Sequence, residues 1–227
     1  MATTGTTTFD LEFTEIAEEA WERAGREMRS GYDLRTARRS MDLMMIEWQN
    51  RGINMWTLDS GTVALISGTA EYTLPADTVD LMEHLIRTGS GTSQTDTNLV
   101  RISVSTYSSI PNKLLQGKPV QIHIRREKDA PVAVVWPIPD SNNYTLAYWR
   151  LRRIEDTGRG ADNADVVYRF YPVMVAGLAY HIAMKVPEFV SRLPMLKQAY
   201  EEQWMHAASE DRERSTWKLV PYGGAYR

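Results

Sequence analysis

The chain has 227 residues, 43% of them hydrophobic and 24% charged, which is ordinary for a globular protein and enough for one large domain or two small ones. Its net charge of −3 excludes a strongly basic nucleic-acid reader taken over the whole chain, and the absence of cysteine excludes disulfides, thiolate metal sites and cysteine nucleophiles. No apolar run approaches the roughly 20 residues that span a bilayer, so no membrane insertion is expected, and "MATTGTTTFD" has neither the basic nor the apolar region of a signal peptide.

From Phe13 to Met28 the apolar residues recur at spacings of three and four, which predicts a helix, with Thr14 or Asp10 as cap and Gly31 as stop. A second helix carries Leu34, Ala37, Met41, Met44, Met45 and Trp48 on one stripe, with Asp33 as N-cap and Gly52 as C-terminal stop. Two antiparallel helices joined by a short turn are the simplest reading. Arg35, Arg38 and Arg39 cluster on this helix. They read either as a solvated face paired with Asp42 and Glu47, or as a row facing a phosphate backbone or an acidic partner surface, and spacing alone favours the first.

The period then changes. "TVALISGTAEYTLP" reads as strand, Ser67-Gly68 turn, strand, and "TVDLMEHLIRT" is balanced between helix and strand. Small polar residues in "SGTSQTDTNLV" predict a mobile hairpin loop, "LVRISVSTY" a strand, and "SSIPNKLLQGKP" a helical turn or loop. In "VQIHIRRE", Val120, Ile122 and Ile124 alternate with Gln121, His123 and Arg125, as in a half-buried strand with His123 on its polar face. "PVAVVWPIPDSNNYTLAYWRLR" reads as two strands about a turn set by Pro137, Pro139 and Asp140, with Trp136 and Trp149 packing the β region.

Helices return after the loop at 158–165. Pro172 suits a first helical turn, and the residues from Val173 to Met184 are apolar or small nearly all round, so that helix is buried. A last helix, about Ser191 to Glu213, carries Leu193, Leu196, Tyr200, Trp204, Ala207 and Ala208. The fold class is therefore α+β, a helical bundle built from both ends of the chain around an inserted antiparallel β domain. The expected divisions are residues 10–54, 55–157 and 165–214, followed by an extended C-terminal arm, 215–227.

Catalytic and metal motifs are missing. The histidines at 84, 123, 181 and 206 lack metal spacing, "LLQGKPV" is no phosphate loop, and there is no Gly-x-Ser-x-Gly. Neither an enzyme nor a cofactor is expected. Asp77 with Asp80, and Asp162 with Asp165, are the acidic pairs nearest to a general-acid arrangement, and loop capping accounts for them better.

Several segments together carry a resemblance: "MDLMMIEWQNRGINMWTLDS", the short hairpin "GTAEYTLP", "YSSIPNKLLQGKPVQIHIRRE", "PVAVVWPIPDSNNYTLAYWRLR", "RFYPVMVAGLAYHIAMKVPE" and "ASEDRERSTWKLVP". In order and local character, from Asp33 to Pro221, the chain resembles the head-to-tail adaptor (connector, head-completion) proteins of short-tailed bacteriophages. The resemblance implies a structural virion protein at the head–tail interface, assembled in the host cytoplasm. It implies a homo-oligomeric ring, typically of twelve copies, between the portal protein and the tail nozzle or tube. Such a ring extends the channel for genomic double-stranded DNA and helps retain it. It also implies C-terminal arms that embrace the portal, for which Trp217, Lys218, Leu219, Val220, Tyr222, Tyr226 and Arg227 are the candidate residues. Two other classes stand beside it: a phage tail-associated cell-wall (glycan) hydrolase, and a DNA-binding module using Arg35, Arg38 and Arg39.

Overall fold

A computed structural model describes residues 4–7, 9, 11–52, 55–158 and 162–211. They form two compact units, one of residues up to Met55 and from Thr157 onward, the other Trp56–Asp156.

The first unit is helical. Helix α1 (Phe13–Ala24) starts at Glu12, whose backbone N–H donates to the Glu15 carboxylate at 3.1 Å in a reciprocal capping box. Neither expected cap serves here: Thr14 lies inside the helix, and Asp10 is outside the described residues. The helix stops at Gly25, before the expected Met28, because Gly25 takes φ 126°, a conformation other residues rarely adopt. Helix α2 (Gly31–Arg51) is capped by Ser30, which accepts from the Asp33 N–H. Asp33, the expected cap, sits one turn inside, where its carboxylate takes the Arg29 N–H and the Arg26 guanidinium. Gly52 ends α2 in the left-handed region, as its position implied.

Helix α4 (Tyr171–Ala183) begins with Pro172 in its first turn and carries no charged residue other than a titratable His181. An element apolar on nearly every side must be surrounded. Helices α1, α2 and α5 (Leu193–Glu210) all pack on it, while α1 and α2 barely touch each other, so the expected α1–α2 pair is replaced by two helices that share a common support. Trp48 of α2 is fully buried, and its indole N–H donates to the Tyr200 hydroxyl of α5 at 2.9 Å. Its ring lies 5.3 Å from Trp204 and 5.7 Å from Phe170. Above this cluster the Arg51 guanidinium covers Tyr200 and Trp204 and binds the Glu47 and Glu201 carboxylates. Burial pushes the Tyr200 phenol up to about 12, so it stays neutral.

The second unit holds two four-stranded sheets. Strands β1 (Leu58–Ala64), β8 (Tyr144–Arg152), β3 (Thr78–Thr88) and β4 (Thr95–Asn98) form one, in that order and antiparallel. Strands β2 (Glu71–Thr73), β7 (Val132–Trp136), β6 (Gln121–Arg125) and β5 (Val100–Arg101) form the other, with β5 parallel to β6. Inward residues of both sheets, among them Leu65, Tyr72, Leu81, Ile86, Ile122, Val135 and Leu146, make one apolar core.

Here four expectations change. The strand–turn–strand at Ser67-Gly68 and the strand pair about Pro137 are not hairpins, because in each the chain leaves one sheet and enters the other. Residues 131–152 thus supply an inner strand to both sheets. The segment after Gly89, expected as a mobile loop, contains β4 paired to β3 through Leu85↔Asn98 to Thr88↔Thr95. "LVRISVSTY" is strand for two residues only, after which Ser103 caps the short helix α3 (Val104–Ser108). The "TVDLMEHLIRT" ambiguity resolves as strand β3, held between β8 and β4.

Replacing Trp48 with Ala removes the ring on which three elements meet and should cost about 3–5 kcal/mol in urea unfolding. Gly177→Ala tests the same packing. Helix propensity alone favours alanine, but a Cβ at Gly177 would meet the Met44 sulfur and lie 2.7 Å from the Tyr200 ring, so destabilisation of about 1–3 kcal/mol is expected.

Candidate interaction surfaces

Among the described residues no cluster of His, Cys, Asp or Glu could hold a metal ion, and no helix is long and apolar enough to cross a membrane. The acidic pair at Asp77 and Asp80 is committed to arginines. Arg150 bonds Asp77 and Thr78 and reaches across to Asp59 on β1, and this hydrogen bonding holds the Asp77 carboxyl below its ordinary range. Burial works to raise Asp80, but hydrogen bonds from Arg101 and Arg126 outweigh it and keep that carboxyl low as well. A glycosidase acid needs the opposite shift, so this pair does not support the hydrolase reading.

His123, expected on a polar strand face, is buried. Its Nδ1 lies 3.3 Å from the Ile102 carbonyl and its ring stacks on Tyr107 of α3 at 5.7 Å. The short helix that the strand reading of 99–107 missed is what covers this face. Val120, expected inward, is exposed. Trp149 projects from β8 with 53% of its surface exposed, in register with Ser60 and Glu83, while Trp136 is part-buried and donates to the Asn112 carbonyl at 3.1 Å. Trp149 therefore does not pack the β core as expected, and it stands as an exposed aromatic on the outer sheet face.

His181 faces the Trp48–Tyr200 cluster. Its Nε2 lies 3.5 Å from a Glu47 oxygen, at the outer limit of an ion pair and too long for a strong hydrogen bond, so the nitrogen is without a good partner. Burial lowers its pKa more than Glu47 raises it, and the imidazole is held neutral.

The arginine cluster is the main surface feature of α2. Asp42 accepts from the backbone N–H and hydroxyl of Thr157, and Glu47 is taken by Arg51, so the expected pairing with the three arginines does not form. Arg38 donates to the Gly158 carbonyl at 3.0 Å. None of Arg35, Arg38 and Arg39 pairs with a carboxylate among the described residues, and with Tyr32 they line a shallow cleft. Beside it a groove between α2 and the end of α4 contains Thr36, Arg39 and Lys185. The buried Thr36 hydroxyl has no hydrogen-bond partner among the described residues. Lys185 donates to Ser40, and burial and the nearby Arg39 lower its pKa. Sequence spacing could not separate a paired from an unpaired row, because the competing partner, Thr157, lies 115 residues from Asp42.

A family model described as SU10 adaptor protein matches residues 8–220. The chain belongs to that family. This adaptor is a bacteriophage head-to-tail protein and a virion component, of a family that is structural and not catalytic and that associates with portal and tail components. No curated protein matches the chain. The seven candidate arm residues from Trp217 to Arg227 lie outside the described residues of the adaptor.

Because folding depresses the His181 and His84 pKa values, the unfolded chain takes up protons near pH 6.5 that the folded chain does not. Their contribution to stability is present above that pH and is lost as pH falls below it. The urea midpoint should therefore drop from pH 7 to pH 5, and His181→Gln should flatten that slope.

Proposed function

We propose that this adaptor assembles as a closed ring of about twelve copies beneath the portal, in line with the symmetry of closed oligomers. The ring extends the DNA channel toward the tail nozzle and helps retain the packaged genome. The observation that carries the reading is the family match over nearly the whole chain, residues 8–220. The two-unit construction suits it, since a helical platform and a β unit offer separate surfaces for portal, neighbouring copies and tail. The mild negative charge of −3 suits a channel through which a polyanion slides, because strong phosphate neutralisation would hold the DNA. Residues 215–227 form the portal-binding arm, with Trp217, Leu219, Tyr222 and Tyr226 as anchors in portal pockets and Lys218, Val220 and Arg227 beside them. Arg35, Arg38 and Arg39 serve an interface or line the channel.

Deleting residues 215–227 tests the arm. Portal binding, measured by co-sedimentation, should fall by at least about tenfold while the circular dichroism of the truncated chain keeps its helical signal. Unchanged binding would contradict the assignment.

A further inference from the structure

Two of the three helices that pack on α4, α1 and α2, present solvent faces of opposite character. Along α2, Tyr32, Arg35, Arg39, Leu43 and Ile46 follow one another at spacings of three and four, so they form one continuous stripe. All five are exposed, Leu43 at 62% and Ile46 at 55%. Arginine and tyrosine interleaved with aliphatic residues is the composition of a protein interface core. Against a phosphate backbone the aliphatic part of the stripe would find no partner, so a protein is the occupant that uses the whole face.

The α1 surface is its complement. Glu15, Glu18, Glu19 and Glu22 are all exposed on the side of α1 away from its buried residues. Glu15 completes the capping box and Glu19 binds Arg23, which leaves Glu18 and Glu22 without an ion pair among the described residues. The groove beside the α2 stripe holds Arg39 and Lys185, and its one lining carboxylate among the described residues, Asp33, is taken by Arg26 and the Arg29 N–H. A carboxylate from outside would pair with both cations.

We infer that the basic-apolar face of α2 docks on the acidic face of α1 of a second copy of this chain. Two different faces that meet in this way make a heterologous contact, which repeats around a ring and closes when the rotation allows. The inference rests on the ring reading above and names the surfaces that build it.

Charge reversal on the full chain tests it. The variant Arg35→Glu with Arg39→Glu spares the Arg38 contact to Gly158. The variant Glu18→Lys with Glu22→Lys spares the capping box and the Arg23 pair. Each alone should lose self-association by at least about tenfold in analytical ultracentrifugation, with and without portal. An equimolar mixture should recover it, because the reversed α2 of one variant then meets the reversed α1 of the other. The milder pair Arg35→Gln with Arg39→Gln, which adds no repulsion, should weaken association to an intermediate degree with unchanged circular dichroism. If the wild-type chain associates and the reversals leave it unaffected, or the mixture fails to recover, this contact is wrong while the ring stands. If arginine reversal instead abolishes salt-sensitive retention on a DNA column and spares self-association, the face belongs to DNA. A wild-type chain that never associates, alone or with portal, removes the ring and this contact together.

Discussion

The helical unit depends on the burial of α4. Ten of its thirteen residues are buried, on every side of the helix, and other helices provide that cover. The cover comes from both ends of the chain: α1 and α2 precede the β unit in sequence, and α5 follows α4 after the turn at 187–192. The apolar character of one short segment thus obliges residues more than a hundred positions apart to fold together, and makes the middle of the chain an insertion. Where α2, α4 and α5 meet, Gly177 lets the Tyr200 ring approach the α4 backbone, and the Trp48 indole donates to the Tyr200 hydroxyl. The charged residues of this region, Arg51 with Glu47 and Glu201, stay at the edge of the cluster, where part of each side chain remains solvated.

In the β unit the comparable constraint is sheet exchange. Each sheet needs inward side chains from strands that are not neighbours in sequence, and the chain meets this by crossing four times, after β1, β2, β4 and β7. The last crossing places β7 and β8 at inner positions of different sheets, so the Pro-rich link between them ties the two layers of one core together. Arginines fix the polar edges. Arg150 joins β1 to the start of β3, and Arg125 joins β6 to Glu71 of β2. These pairs are part-exposed and set register more than they add stability.

Element types were legible where a single period ran long enough. The stripes of α2 and α5, and the all-round apolarity of α4, follow directly from residue spacing. The family was legible in the order of segments, and the match over residues 8–220 agrees with it. Partners of strands were not legible, because β1 and β2, or β7 and β8, have the same alternation whether they pair with each other or with distant strands. The burial of His123 was hidden for a related reason: a five-residue helix with serine and threonine at its start scores locally as strand, and only that helix covers the imidazole. That Arg35 and Arg39 pair with no carboxylate among the described residues was hidden because helical spacing offered them Asp42 and Glu47, whose carboxylates are claimed by Thr157 and Arg51.

The central claim is that this adaptor forms a ring on the portal. The most direct measurement is electron microscopy of the purified full-length chain mixed with portal, averaged along the channel axis. The account predicts a closed ring of density added at one end of the portal, continuous with its channel. Portal particles without added density, at protein concentrations in large excess, would contradict it.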